Sequence, residues 1–448
     1  MDVLHLIHQF PPESRGGSES YVLDIARRQR AVGQDAQVLS GSKHWRDHVL
    51  VETGEVEGIP VHRLHRSDQF FDFHAKMWHP EVEHQITELL QRWRPRLVHV
   101  HHWVRLTSNL VEICARLGIP AVVTLHDYYT SCPRAFRRRL NSDACTRTLG
   151  AASCVSCVPR YGYEPEREVA AGVELFADNY RAELSLAHAV IVAVGSTAEL
   201  LATTAGVPRE RYEVLPLGYR QRWPGQPPLP APAAAEPLRF AFWGGIGRHK
   251  GIDVLLRAFR RLHVARPGRA VLHLLGGAES PAFDREVKAL AEGLPVTLHG
   301  EFDAAALRAV APHVGVFPST CIETYGIVLD ECFELGLPCV TSDLGALAER
   351  SGAAGLRTRA GDEAGLAATL QRFVDEPGLW GELRGHVQPT QFGLDAHVTA
   401  LQQIYDRALS SPAPAPFAAP VPALRRVLYM LDQRESAMVK LVVDGGPK

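Results

Sequence analysis

Short apolar runs alternate along the chain with longer stretches in which apolar residues return every three or four positions, and the alternation occurs in two successive series. Runs of four to eight β-branched and apolar residues read as strands, and the longer amphipathic stretches as helices. Their alternation predicts βα units around a mainly parallel sheet. In the first series, strands are expected at Val3 to His8, Ala36 to Ser40, Val61 to His65, Leu97 to His101, Ala121 to His126, Ala189 to Val194 and Tyr212 to Leu217. Helices are expected from Ser18 to Val32, Pro80 to Trp93, Thr107 to Leu117, Pro165 to Ala187 and Ser196 to Ala205.

The second series has strands at Leu238 to Trp243, Ala270 to Leu275, Val296 to His299, Val314 to Pro318 and Pro338 to Thr341. Its helices begin near Gly251, Pro281, Ala304, Tyr325 and Gly345. Between the series, YRQRWPGQPPLPAPAAAEP is too rich in proline and alanine to continue a sheet and reads as a connection. The fold class is therefore α/β, with two Rossmann-like domains at residues 1–219 and 238–390 joined by a hinge at 220–237. Residues 391–410 form a helix expected to return to the first domain, and 411–448 a linker with a further helix between Ala423 and Val443. Open α/β sheets bind ligands at the carboxyl ends of their strands, so the two domains are expected to face a central cleft.

Composition narrows the class. At 448 residues the chain is long for one core, and 46% hydrophobic against 22% charged residues describes a globular protein. Forty-eight basic residues nearly cancel fifty acidic ones, which gives no global field for nucleic acid, so any anion site is local. The start MDVLHLIHQF has no basic leader and no long apolar run, and the expectation is a cytoplasmic protein without a membrane span.

Candidate chemistry concentrates in a few segments. FPSTCIETYGIVLDECFELGLPCV joins a strand to a helix through a polar turn carrying Glu323, with Glu331 inside the helix. A helix starting at Tyr325, Gly326 and Ile327 offers backbone N–H groups to a diphosphate, and a carboxylate at Glu331 suits a ribose diol. Both glutamates are equally compatible with a solvated helix surface on periodicity alone. FAFWGGIGRHKGIDVLLRAF is a strand, a glycine-rich turn at Gly244, a basic cluster with Arg248 and Lys250, and a helix; its glycines permit close approach to phosphate and its cations neutralise it. FPPESRGGSESYVLDIARR places Gly16 and Gly17 before a helix read as capped by Ser18. In AVVTLHDYY, His126 follows an apolar strand, where an imidazole can hydrogen-bond a sugar or move a proton.

Cys132, Cys145, Cys154 and Cys157 crowd an irregular insertion at about 131–160 and form a candidate structural zinc set, with disulfides and free thiols as alternatives. Arg134, Arg137, Arg138 and Arg139 in the same insertion read as a solvated run, or as a contact for an anionic acceptor or a membrane surface.

The segment bearing Glu323 and Glu331 resembles the paired-glutamate signature of retaining glycosyltransferases with the GT-B architecture, family four, and the other motifs follow in the family's order up to about Ser410. The resemblance implies an acceptor-side first domain and a nucleotide-sugar second domain. It implies that Glu323 contacts the transferred sugar, Glu331 the ribose, Lys250 the diphosphate, and His126 the donor sugar, with the Gly16–Gly17 loop over the diphosphate. Gly245 stands where the family has an arginine, a place Arg248 would have to fill from across the turn. No Asp-x-Asp occurs in the chain, so transfer is expected without a metal or other cofactor, from a nucleotide sugar to a glycan, lipid-linked or small-molecule hydroxyl, with contact at the inner membrane face a further expectation. An epimerase or hydrolase acting on the donor alone, and a non-catalytic nucleotide-sugar-binding protein, are the alternatives.

Overall fold

The computed structural model describes residues 1–14, 16–68, 77–140, 144–160, 164–233, 236–389 and 392–443, so parts of the insertion and short pieces of both interdomain segments lie outside the described residues. The chain forms two compact units, one of residues 1–135, 146–218 and 394–448, the other of 136–145 and 219–393.

The first unit is built on β1 (Val3–Ile7), β2 (Ala36–Gly41), β3 (Leu50–Val56), β4 (Ile59–His65), β5 (Leu97–Val100), β6 (Ala121–Thr124), β7 (Ala189–Val192) and β8 (Tyr212–Val214), in the order β3-β4-β2-β1-β5-β6-β7-β8. All neighbours are parallel except the β3–β4 hairpin. The strand order reverses between β1 and β5, which makes their carboxyl ends the switch point where such sheets take ligands. Side chains alternate across a strand. With His5 opposite His99 and His99 opposite Val122 in register, His5, His99, His101, Thr124 and His126 fall on one face.

The second unit is an all-parallel sheet of β9 (Leu238–Trp243), β10 (Ala270–Leu275), β11 (Val296–Gly300), β12 (Val314–Phe317), β13 (Cys339–Ser342) and β14 (Gly355–Thr358), in the order β11-β10-β9-β12-β13-β14. Leu255, Phe259, Phe240, Leu272, Val316 and Leu329 are fully buried in its core. Its switch point lies between β9 and β12, and the turns leaving these strands carry Lys250 and Glu323. Parallel strands buried on both faces read as continuous apolar runs, which is why they were legible.

The sequence reading differs from the structure in definable places. The strands β3 and β14 were not expected: LVETGEV is an exposed polar edge, and GLRT is short with an opening glycine. The proline-rich connection is not loose, because Trp223 and Leu229 are buried in the second unit's core and Glu334 accepts hydrogen bonds from the backbone N–H groups of Arg222 and Trp223. The short segment 136–145 clusters with the second unit, although the insertion was expected to belong wholly to the first.

Candidate functional site

The geometry around Glu323 begins with a glycine. Gly251 follows the basic turn with φ at +72°, and a Cβ added there would lie 2.1 Å from the carbonyl oxygen of Pro318. Only glycine allows that approach. It brings the turn after β9 against the turn after β12, where Thr320 N–H donates to the carbonyl of His249 at 2.9 Å. Lys250 and Glu323 consequently meet, with Nζ 2.6 Å from Oε1, and the Ser319 hydroxyl donates to the same oxygen at 2.8 Å. Burial works against the carboxylate's charge, but the Lys250 ammonium and these hydrogen bonds outweigh it and hold Glu323 below the usual carboxylate range. Lys250 is held above its ordinary value by the same partner, again against burial.

Glu331 lies on the helix Val328–Glu334. The helix starts three residues later than expected, because Gly326 sits at φ +76°, outside the helical region, and Glu331 therefore falls in the first turn. Its Oε2 accepts from Trp243 Nε1 at 2.8 Å, and its Oε1 lies 3.5 Å from Arg222 Nε. Burial pushes the Glu331 carboxyl above its ordinary value, against the opposing pull of Arg222 and Trp243. Neither glutamate is the solvated surface residue that periodicity alone allowed: each side chain is 17% exposed.

Arg350, which carried no sequence signal, fixes the turn between the two glutamates. Its guanidinium donates to the carbonyls of Tyr325 and Gly326 at 3.0 and 2.9 Å, pairs with buried Asp330 at 2.6 Å, and lies 3.7 Å over the Tyr325 ring. Trp243 and Arg222 were also missed as partners of Glu331. A tryptophan ending a buried strand beside a glycine turn was the available hint for the first, whereas Arg222 sits in a segment read only as linker.

Arg248 is placed differently from Lys250. It pairs with Glu286 and lies 3.6 Å from Asp253, with its guanidinium 4.9 Å over the Phe283 ring, so it is engaged by protein groups away from Glu323. Gly244 is at φ +122°, and nothing crowds a Cβ at Gly245 within 4 Å. A cavity of about 860 Å³ in this unit is lined by Arg138, Arg248, Arg257, Thr320 and Arg359 among others, and neither Glu323 nor Glu331 lines it.

In the first unit the helix Gly17–Ala31 opens with Gly16 as its cap residue, not Ser18, which lies in the first turn. The loop is organised by Glu19, a buried carboxylate that accepts from Gln9 at 2.5 Å, Ser14 at 2.9 Å and Ser18 at 3.0 Å. A Cβ at Gly16 would meet Glu19 Oε2 at 2.5 Å. His126, just past β6, is half-buried beside Tyr21 and stacked on His101 with 5.2 Å between centroids. Burial holds its imidazole down at about 4, so it is neutral near pH 7. Next to it, Asp127 lies 3.2 Å from His102 Nε2.

Cys132, Cys145, Cys154 and Cys157 are each half-buried and form no disulfide. Cys132, Cys154 and Cys157 belong to the first unit and Cys145 to the second. Among the described residues, the group whose ligand atoms gather within 4.8 Å of one another is His5, His99 and His101, with no cysteine in it. Nor is the arginine run uniformly solvated: Arg137 is buried and donates to the carbonyl of Cys145 at 2.8 Å. Among the described residues no helix is long and apolar enough to cross a membrane.

Comparison with known proteins places these features in a family context. A family model of glycosyl transferases group 1 matches residues 237–376, and one of glycosyltransferase family 4 matches residues 15–164. Glycogen synthase of Mycobacterium tuberculosis is 23% identical over 401 residues, covering 84% of this chain and 87% of the relative. D-inositol 3-phosphate glycosyltransferase of an Arthrobacter species is 28% identical over 319 residues, covering 68% and 70%. The solved structure of Anabaena HepE in complex with UDP superposes with a TM-score of 0.60 at 16% identity, over 91% of this chain and 100% of that one.

Proposed function

The chain belongs to the family-four, group 1 glycosyltransferases with the GT-B fold, and we propose on that basis that it moves a sugar from a nucleotide-sugar donor to a hydroxyl acceptor with retention at the anomeric carbon and without a metal. The observation that carries the reading is the Lys250–Glu323 pair, with Glu323 on the same turn-and-helix segment as Glu331. Two matching family models and the UDP complex of HepE, a protein of the same fold, support a nucleotide-linked donor.

In this reading Glu331 receives the ribose hydroxyls, with Trp243 and Arg222 fixing its carboxylate. Lys250 neutralises the diphosphate as it departs, and backbone N–H groups of the Tyr325-Gly326-Ile327 turn, held by Arg350, add to that stabilisation. In the same reading Glu323 contacts the transferred sugar, and His126 and the Gly16–Gly17 loop are assigned to donor binding. Arg248 has a lesser part, since Glu286 and Asp253 already engage it.

The bond between the anomeric carbon and the diphosphate breaks as the acceptor oxygen bonds to the same face. The acceptor's proton passes to the departing phosphate oxygen, so charge and atoms balance without a protein nucleophile. The acceptor is a hydroxyl of a glycan, a lipid-linked saccharide or a small molecule.

A thermal-shift panel of UDP, GDP and ADP sugars tests the reading. One nucleotide class should stabilise the wild type, and Glu331→Ala should abolish the response. Stabilisation by none of them, or an undiminished response in Glu331→Ala, would refute the donor assignment. Stabilisation without turnover on any acceptor would favour a non-catalytic nucleotide-sugar-binding protein.

A further inference from the structure

We propose that Gln29, His5 and His101 are positioning residues that fix the tautomer of His126, so that its Nε2–H is turned inward and its Nδ1 carries the lone pair. The inference rests on the reading that His126 meets the donor sugar. It starts from a polar layer that a parallel sheet does not ordinarily bury. His5, His99, His101 and His126 share one sheet face, beneath the helices Gly17–Ala31 and Leu394–Ser410, which contribute Gln29 and Tyr405. Buried polar groups must find partners, and here the partners form a directed file.

The direction is set at Gln29. Its amide oxygen can only accept, so the 2.8 Å contact with His5 requires a hydrogen on His5 Nε2. In a neutral imidazole the other nitrogen then accepts, and His5 Nδ1 lies 3.0 Å from His101 Nε2, which donates. His101 Nδ1 is left to accept, and it lies 3.0 Å from His126 Nε2. The opposite tautomer of His126 would point two lone pairs at each other across that distance. Burial keeps all three rings neutral: it holds His5 and His126 down at about 4 and His101 well below its ordinary value.

The other end of the same amide agrees. Gln29 Nε2 donates to the Tyr405 hydroxyl at 3.5 Å, that hydroxyl is hydrogen-bonded to His99 Nδ1 at 2.7 Å, and His99 Nε2 to Thr124 Oγ1 at 2.8 Å. Two other uses of the cluster fail. His5, His99 and His101 have the spacing of a metal set, but each of their ring nitrogens already has a protein partner. A proton wire would need an outlet, and the amide of Gln29 neither takes up nor releases a proton near neutral pH. The file orients; it does not conduct. Its consequence is that His126 meets a sugar hydroxyl as a fixed hydrogen-bond acceptor.

The test is long-range proton–nitrogen correlation NMR of the full chain labelled with ¹⁵N-histidine at pH 7, with the His126 signal assigned by its loss in His126→Phe. The wild type should show His126 as a single neutral Nε2–H tautomer. Gln29→Glu, which still offers an acceptor to His5, should keep it. Gln29→Leu should give a tautomer mixture and raise KM for the nucleotide sugar about three- to tenfold, with a smaller change in kcat.

A wild-type His126 in the Nδ1–H form, or a folded Gln29→Leu variant with the tautomer unchanged, would overturn the proposal. The wild-type spectrum decides even if that variant does not fold. Because it needs neither donor nor acceptor, its failure is separable from failure of the transferase reading, which the nucleotide panel tests.

Discussion

Lys250 Nζ lies 2.6 Å from Glu323 Oε1, and both groups are largely screened from solvent. Removing the cation leaves a buried carboxylate without its counter-charge, while the donor diphosphate loses the ammonium assigned to it. Lys250→Met should therefore lower kcat/KM by roughly a hundredfold or more. It should also reduce unfolding free energy by about 1.5–3 kcal/mol, the range for a lost hydrogen bond to a charged group. Steady-state turnover and urea unfolding measure the two effects. Unchanged kcat/KM would remove Lys250 from the chemistry.

The glycines of the turn after β9 are not equivalent. At Gly251, φ is +72° and an added Cβ would lie 2.1 Å from the Pro318 carbonyl oxygen, so Gly251→Ala must move backbone. It should destabilise by about 1–3 kcal/mol and depress turnover by separating Lys250 from Glu323. At Gly245 an added Cβ meets nothing within 4 Å. Gly245→Ala should change stability by less than about 0.5 kcal/mol. Gly245→Arg, which supplies the family's missing guanidinium, should tighten nucleoside diphosphate binding by roughly tenfold. Titration calorimetry and thermal unfolding of the three variants check this contrast.

The carboxy-terminal helix Pro422–Val443 is tied down at its start. Arg425, 1% exposed at its side chain, pairs with Glu112 of the helix Leu110–Arg116, and the Tyr429 ring packs edge-on against Trp78 and His79. Truncation after Ser410 would leave Glu112 beneath a vacated surface. The truncated chain should lose about 1–3 kcal/mol of stability, because Glu112 loses its partner but gains access to water. Arg425→Ala in the full chain, which leaves Glu112 covered, should cost at least as much. An unchanged melting temperature for both would mean the helix contributes nothing to the fold.

What the sequence disclosed follows the physics of each feature. The buried parallel strands were readable because both faces need apolar side chains, whereas Glu323, Lys250 and His126 were singled out by the family resemblance as much as by the glycine and polar patterns of the turns after such strands. The strand β3 escaped because its exposed edge tolerates Glu52, Thr53 and Glu55. The roles of Arg350 and Arg222 depend on contacts between segments distant in sequence, with no local pattern to mark them. The histidines of VHVHH were visible as letters. The hydrogen-bonded layer they form needed Gln29 and Tyr405, which come from two helices far apart in the chain.

Glu331 illustrates the conflict between stability and binding. Burial raises its folded-state pKa above the ordinary value. A raised carboxyl pKa contributes stability that is fully present below the unfolded value of about 4.3 and is lost as pH rises through the folded value. At neutral pH the ionised Glu331 is therefore a net cost to the fold, offset only in part by Trp243 and Arg222. Gln in its place keeps an acceptor for the Trp243 N–H and removes the charge. Glu331→Gln should raise the melting temperature at pH 7 and give no gain at pH 4, while weakening nucleotide binding about tenfold because it trades a charged acceptor for a neutral one. Thermal unfolding at the two pH values, with and without the stabilising nucleotide, separates these effects. A variant less stable than wild type at pH 7 would show that the pair with Arg222 outweighs the desolvation of the carboxylate.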